Sequence, residues 1–319
     1  RISSSIRKAR AQDDVNSAGY VDTVQTLATT TTQTYFEIAR MTLREQLLAD
    51  SLKEHHRLVE TMERRVQQEV SPLADLELAR SRAAQIEQQY TVTRAQRQTA
   101  LRIMAQLVAD PNYDLGPVPY FDSKLELPDR DVLEDQAAAY DPTIRRLQAE
   151  ADVARAQRDV TKASILPQFN AQYSYDEFYH SRVGVALKAQ TTGGLSQFSE
   201  LEGARLRIDA ALEQARVAEQ ELRREVAADV IEYEASRERA SISLGASDTA
   251  GKVSASYMRQ FIAGRRSWLD VMNALREAVT AQLDRVDAEI GTMQSAVRLL
   301  LASGRWRPEF PDNASPDAD

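Results

Sequence analysis

The sequence predicts a mainly α protein of long antiparallel helical hairpins, packed as coiled coils and interrupted by one β-hairpin. Three observations carry this. First, 319 residues include 11 Gly, 10 Pro and 6% aromatics against 28% charged residues, and Ala, Arg, Glu, Gln and Leu dominate, the profile of long helices. Second, stretches 1–68 and 198–303 hold no Pro, and their apolar residues step by three and four, the period of one helix face. Third, only 168–188 alternates with period two, as a half-buried strand does.

In the first arm, 1–108, apolar positions run from Val21, Val24 and Leu27 through Ile38, Met41, Leu48 and Met62 to Val66. One helix of that length is on the order of 100 Å at ~1.5 Å per residue and must pack beside other rods. The β-branched run Thr29 to Thr32 is a poor helix former, so packing has to hold it. Ser71-Pro72 caps the next helix, with Pro at its first position. The arm's tip is 69–75. Residues 109–141 form a connector, because Pro111, Pro117, Pro119 and Pro128 fall there and Pro142 follows directly; it allows one short helix near Asp131 to Tyr140. A helix over 142–166 ends at Pro167.

The β-hairpin falls in 167–195. Phe169, Tyr173 and Tyr175 alternate with polar residues, and Val183, Val185 and Leu187 do so after a polar turn. A lone hairpin is marginal in water. It needs strands from elsewhere, as membrane-barrel strands do, or it lies on the helices. The second arm, 196–303, ends in a seam of Trp268, Met272, Leu275, Val279, Leu283, Val286, Ile290, Met293, Val297 and Leu300, close to coiled-coil spacing. The tail 304–319, with three prolines and several acids, is expected to be disordered.

Phe261 to Val271 joins the two helices of the second arm. Gly264 suits a left-handed C-cap and Ser267 an N-cap, so tip 263–270 presents Arg265, Arg266, Trp268 and Asp270. An offset of 195 residues matches Gly264 to Glu69, Phe261 to Val66, Asp270 to Asp75, Val271 to Leu76 and Ala274 to Ala79. It also matches Ala204-Arg205 to Ala9-Arg10 and Ile231 to Phe36. A register kept without gaps indicates an internal duplication.

A Pro-ended helix, a β-hairpin, the exit Thr191-Thr192-Gly193-Gly194, a long helix and the tip Ala263-Gly264-x-x-Ser267-x-Leu269-Asp270-Val271 follow one another. Together they resemble the TolC-type outer-membrane channel family. Val70-Ser71-Pro72-Leu73-Ala74-Asp75-Leu76 resembles the matching half-repeat, and nearly the whole chain is covered. The run Arg259 to Val271 is most similar to outer-membrane components that export large adhesins by type I secretion. The resemblance implies a homotrimer whose helices form a tapered α-barrel tunnel across the periplasm. Its hairpins would close a β-barrel in outer-membrane lipid. It also implies a periplasmic adaptor (a membrane fusion protein), an inner-membrane transporter, and an exported protein or small molecule as cargo. The family supplies two hairpins per protomer. By the offset, Arg1 falls just after the place of the first one, so that hairpin and any leader are expected outside this sequence.

Residue by residue, the resemblance gives Arg266 the place of a gate arginine and Asp75 that of its acidic partner. Phe261 lies where the family can have a gating tyrosine, but it lacks the hydroxyl. Asp270 resembles one acid of a constriction ring whose second position here is Asn273. Val70, Ser71, Pro72, Gly264, Arg265, Ser267, Trp268 and Leu269 take the place of the adaptor-docking tips. The plainer alternatives are solvated tip charges at Arg266 and Asp75, seam packing for Trp268, and a dipole-favoured acid at Asp270.

A net charge of -8 disfavours nucleic acid. Without Cys there are neither disulfides nor thiolate sites. No clustered His or phosphate-type Gly loop marks an enzyme or a cofactor site, and the adjacent His55 and His56 read as a solvated face. Two other functions share these parts: a multidrug efflux channel and a periplasmic coiled-coil scaffold.

Overall fold

The computed structural model describes residues 2–165, 168–176, 178, 180–188 and 196–307. Its elements are α1 (Ile2–Gln67), α2 (Leu73–Leu107), α3 (Arg130–Tyr140), α4 (Pro142–Ile165), β1 (Gln168–Asp176), β2 (His180–Lys188), α5 (Ser196–Ile262) and α6 (Trp268–Ala302). Pro167, the Gly-Gly exit and 308–319 of the tail lie outside the described residues. Packing divides the chain into one unit of residues 1–25, 134–225 and 308–319 and another of 26–133 and 226–307. The helices α1 and α5 run through both.

In the first unit, small residues let helices approach closely: Ala151, Ala156, Ala204 and Ala215 are buried, and the larger Ile208 with them. Asp22 of α1 accepts from Thr143 at 3.2 Å and lies 3.8 Å from Arg146 of α4. The buried Pro142 opens α4, where its missing N–H is not needed. Asp141 before it accepts from the Ile144 amide at 2.8 Å. β1 and β2 pair antiparallel with Phe169 opposite Leu187 and Tyr173 opposite Val183. Tyr173, Tyr175, Val183, Val185 and Leu187 are exposed, while the side chain of Phe169 is outside the described set.

In the second unit, α1, α2, α5 and α6 share a layered core. Ile38 packs with Ala100 and Met104, Phe36 and Ala39 with Val286 and Ile290, and Leu48 with Ile86 and Val279. The threonine run stays helical: the hydroxyls of Thr30 and Thr34 donate to the carbonyls four residues earlier. The connector crosses α5, where Tyr233 donates to the Leu125 carbonyl at 2.8 Å and Arg237 to that of Ser123 at 3.3 Å.

The duplication is visible in the backbone. α2 and α6 are each 35 residues long, and the 195-residue offset maps both ends of one onto the ends of the other. Beyond their C-termini, Ala109 and Gly304 both take positive φ, 54° and 67°. The side-chain environments follow the offset less closely. Leu76 and Val271 are both buried, as are Ala79 and Ala274, but Phe36 is buried where Ile231 is 61% exposed.

Candidate functional site: the paired hairpin tips

Each tip turns the chain with the same backbone device. α1 stops at Gln67 and α5 at Ile262 because Glu69 (φ 59°) and Gly264 (φ 69°) turn left-handed. The Val70 amide then donates to the Arg65 carbonyl at 2.9 Å, and the Arg265 amide to that of Gln260 at 2.8 Å. These bonds satisfy carbonyls the helix end leaves open. Pro72 (φ −73°, ψ 152°) and Ser267 (φ −75°, ψ 154°) are the extended N-caps of α2 and α6. Ser267 accepts from the Asp270 amide at 3.2 Å. Pro72 is the cap rather than the first helical residue, so α2 begins one position later than the Pro rule suggests. Ser71 instead accepts from Arg65 Nε at 3.0 Å.

Beneath the turns all four helices meet in one cluster: Leu58 and Met62 of α1, Leu76 and Ala79 of α2, Phe261 of α5, and Trp268, Val271 and Met272 of α6. Phe261 and Trp268 touch with ring centroids 5.0 Å apart, and Arg65 lies over the Phe261 ring at 4.8 Å. Trp268 is 4% exposed, and its indole N–H donates to the Asp75 carbonyl at 3.0 Å. This bond ties the start of α6 to the start of α2. Of the two places open to Trp268, the fold assigns the seam. Phe261, without a hydroxyl, is a packing residue here.

Arg266 sits differently from its sequence expectation. Its guanidinium lies 3.9 Å over the Tyr257 ring, and its NH1 is 3.8 Å from Asp270. Among the described residues this ion pair is with Asp270 of its own hairpin, not with Asp75. Arg266 follows the turn by two residues, so its side chain folds back along α5 and over the start of α6. Tyr257, one helical turn before Phe261, was missed by the motif reading; its signal is that turn's spacing. Asp270, Asn273 and Glu277 line one wall of a groove of about 720 Å³, with Tyr257, Val253 and Gly245 on the other. Val70, Pro72, Gly264, Arg265 and Leu269 are exposed, and Ser71, Asp75 and Asn273 half-buried.

His55 corrects the solvated reading. It is 4% exposed, and its Nδ1 donates to the Ser51 carbonyl at 2.8 Å. Burial pushes its pKa below the ordinary 6.5, and nearby Arg82 and His56 act in the same direction. Among the described residues no group of three or more acids and histidines could hold a metal ion. No described helix is long and apolar enough to cross a membrane.

The sequence matches the family described as "Outer membrane efflux protein" over residues 133–305. No curated protein matches it. Among solved structures, the outer-membrane channel OprN superposes with a TM-score of 0.85 at 19% identity, covering 95% of this chain and 72% of that one. VceC from Vibrio cholerae gives 0.83 at 18%, covering 94% and 75%. The MtrE outer membrane channel of Neisseria gonorrhoeae gives 0.79 at 16%, covering 95% and 72%. These likenesses establish the same long-helix architecture, and the family match spans more than half of the sequence: this chain belongs to the outer membrane efflux protein family, the TolC-type channels.

Proposed function

We propose that the chain is the channel of a tripartite export system, a homotrimer whose hairpin tips are both its adaptor-docking surface and its gate. Its family consists of non-enzymatic channels of the outer membrane that extend into the periplasm and work with adaptors and inner-membrane transporters. The observation that carries the reading is the charged second tip. Arg266 rests on a ring and one 3.8 Å contact at an exposed turn. Such a pair is worth only about 0–1 kcal/mol. It therefore leaves the guanidinium free to exchange partners, Asp75 of a neighbouring tip included, when an adaptor binds. Val70, Pro72, Arg265 and Leu269 offer the adaptor exposed contact, and the outward Tyr173, Tyr175, Val183, Val185 and Leu187 suit a barrel facing lipid.

For cargo, the similarity of Arg259 to Val271 to adhesin exporters favours type I protein secretion. The family's own description favours efflux of small molecules. Deleting the gene separates the two: loss of a large secreted surface protein supports the first, and hypersensitivity to toxic small molecules with secretion intact supports the second. The gate is tested in planar bilayers with full-length protein. Arg266→Ala is expected to raise single-channel conductance, and an unchanged conductance removes Arg266 from the gate.

A further inference from the structure

The second tip holds a cation on a ring, and at the equivalent positions the first tip has neither. Under the 195-residue offset Met62 stands for Tyr257 and Ser71 for Arg266. Met62 is 0% exposed, and Ser71 accepts from Arg65 at 3.0 Å. The first tip is thus held by packing and a local hydrogen bond. In the second, the half-buried Tyr257 packs against the cluster beneath the turns, which fixes its ring. The Arg266 guanidinium lies over that ring, 3.9 Å from its centroid. Asp270 flanks it at 3.8 Å, beyond hydrogen-bond reach. Arg266 Nε is buried there, with no hydrogen-bond partner among the described residues. Attraction to the ring favours this seat, and the dry Nε opposes it. A seat balanced in this way yields to a weak competitor.

We propose that Tyr257 is a positioning residue for Arg266: its ring holds the guanidinium off the gate and so sets how often the gate closes. On the seat, Arg266 joins only parts of its own hairpin, α5 to the start of α6. Off the seat, it reaches Asp75 of a neighbouring tip, and only that contact ties two tips together. One guanidinium cannot occupy both places, so the ring and Asp75 compete for it. A ring contact at a partly exposed site shifts such a ratio about two- to fivefold at each tip. The second tip is then the movable one, because the first has a methionine and a serine in these two places. This assignment rests on the gate reading of Arg266 and adds the residue that positions it.

The test is the time-averaged conductance of full-length protein in planar bilayers. Tyr257→Met installs the residue of the first repeat, removes the ring and keeps a flexible apolar filler. It is expected to lower conductance, by up to about fivefold. Tyr257→Phe keeps a ring and is expected to stay close to the parent protein. Tyr257→Trp supplies a stronger cation acceptor and is expected to raise conductance, which gives a second reading that does not depend on the Met variant folding. In an Arg266→Ala background, Tyr257→Met is expected to change nothing further, because Tyr257 acts only through Arg266. An equal loss in that background would make Tyr257 a packing residue and overturn the proposal. A rise with Tyr257→Met would overturn it too, since the seated guanidinium would then be the closed arrangement. If Arg266→Ala raises conductance while no Tyr257 variant moves it, the seat fails and the gate stands. If Arg266→Ala itself changes nothing, the gate reading fails first.

Discussion

Trp268 shows how a single residue can be typed from sequence and still not be placed. Its spacing with Met272 and Leu275 fits a seam and its position fits a docking tip; only the fold decides, by giving its indole N–H the Asp75 carbonyl. Trp268→Ala opens a cavity among Leu76, Phe261 and Met272 and is expected to cost about 3–5 kcal/mol. Trp268→Phe keeps most of the packing, loses the hydrogen bond, and is expected to cost about 1 kcal/mol. Chemical denaturation of the two variants checks the order; equal costs would mean the hydrogen bond carries the site. His55 was legible only as a polar residue, because burial on one helix of four depends on partners distant in sequence. The folded state holds its pKa below 6.5, so under acid the unfolded chain takes up a proton that the folded chain refuses. Its contribution is therefore intact above 6.5, falls as pH drops through that value, and levels off below the folded pKa. His55→Gln is expected to flatten this part of the stability profile below pH 6.5; a profile parallel to that of the parent protein would refute it.

The elements were largely readable because helices announce themselves by period, Pro and Gly. The one-residue displacement at Pro72 arose because the left-handed Glu69 already ends α1, leaving Pro72 the extended cap position. The repeat makes a sharper prediction. Glu69 and Gly264 do the same work, but Glu69 bears a Cβ in a conformation that costs an L-residue roughly 1–2 kcal/mol. Glu69→Gly should relieve that strain, offset in part by the added freedom of the unfolded chain. Gly264→Ala should introduce it, since no atom lies within 4 Å to clash with the new Cβ and only the φ of 69° opposes it. Melting temperatures are expected to move in opposite directions, up for the first and down for the second. Movement in the same direction would show that the two turns are not equivalent.

At the scale of the molecule, the long helices, hairpin and duplication were legible because each leaves a periodic trace. The partner of Arg266 was not, because a charge on a turn reaches several acids and no pattern in sequence ranks them. The same limit applies to the groove where Asp270 and Asn273 stand beside Glu277. In a trimer, three copies of Asp270 near the axis would gather like charge at the mouth and favour cations. Asn273 lies one turn further along the same wall and adds no charge. Asn273→Asp is therefore expected to raise cation over anion permeability, and Asp270→Asn to lower it. Reversal potentials of the full-length channel in a salt gradient measure both. A shift for Asp270→Asn with none for Asn273→Asp would place only the first residue in the permeation path. Unchanged potentials for both would move the constriction away from α6 altogether.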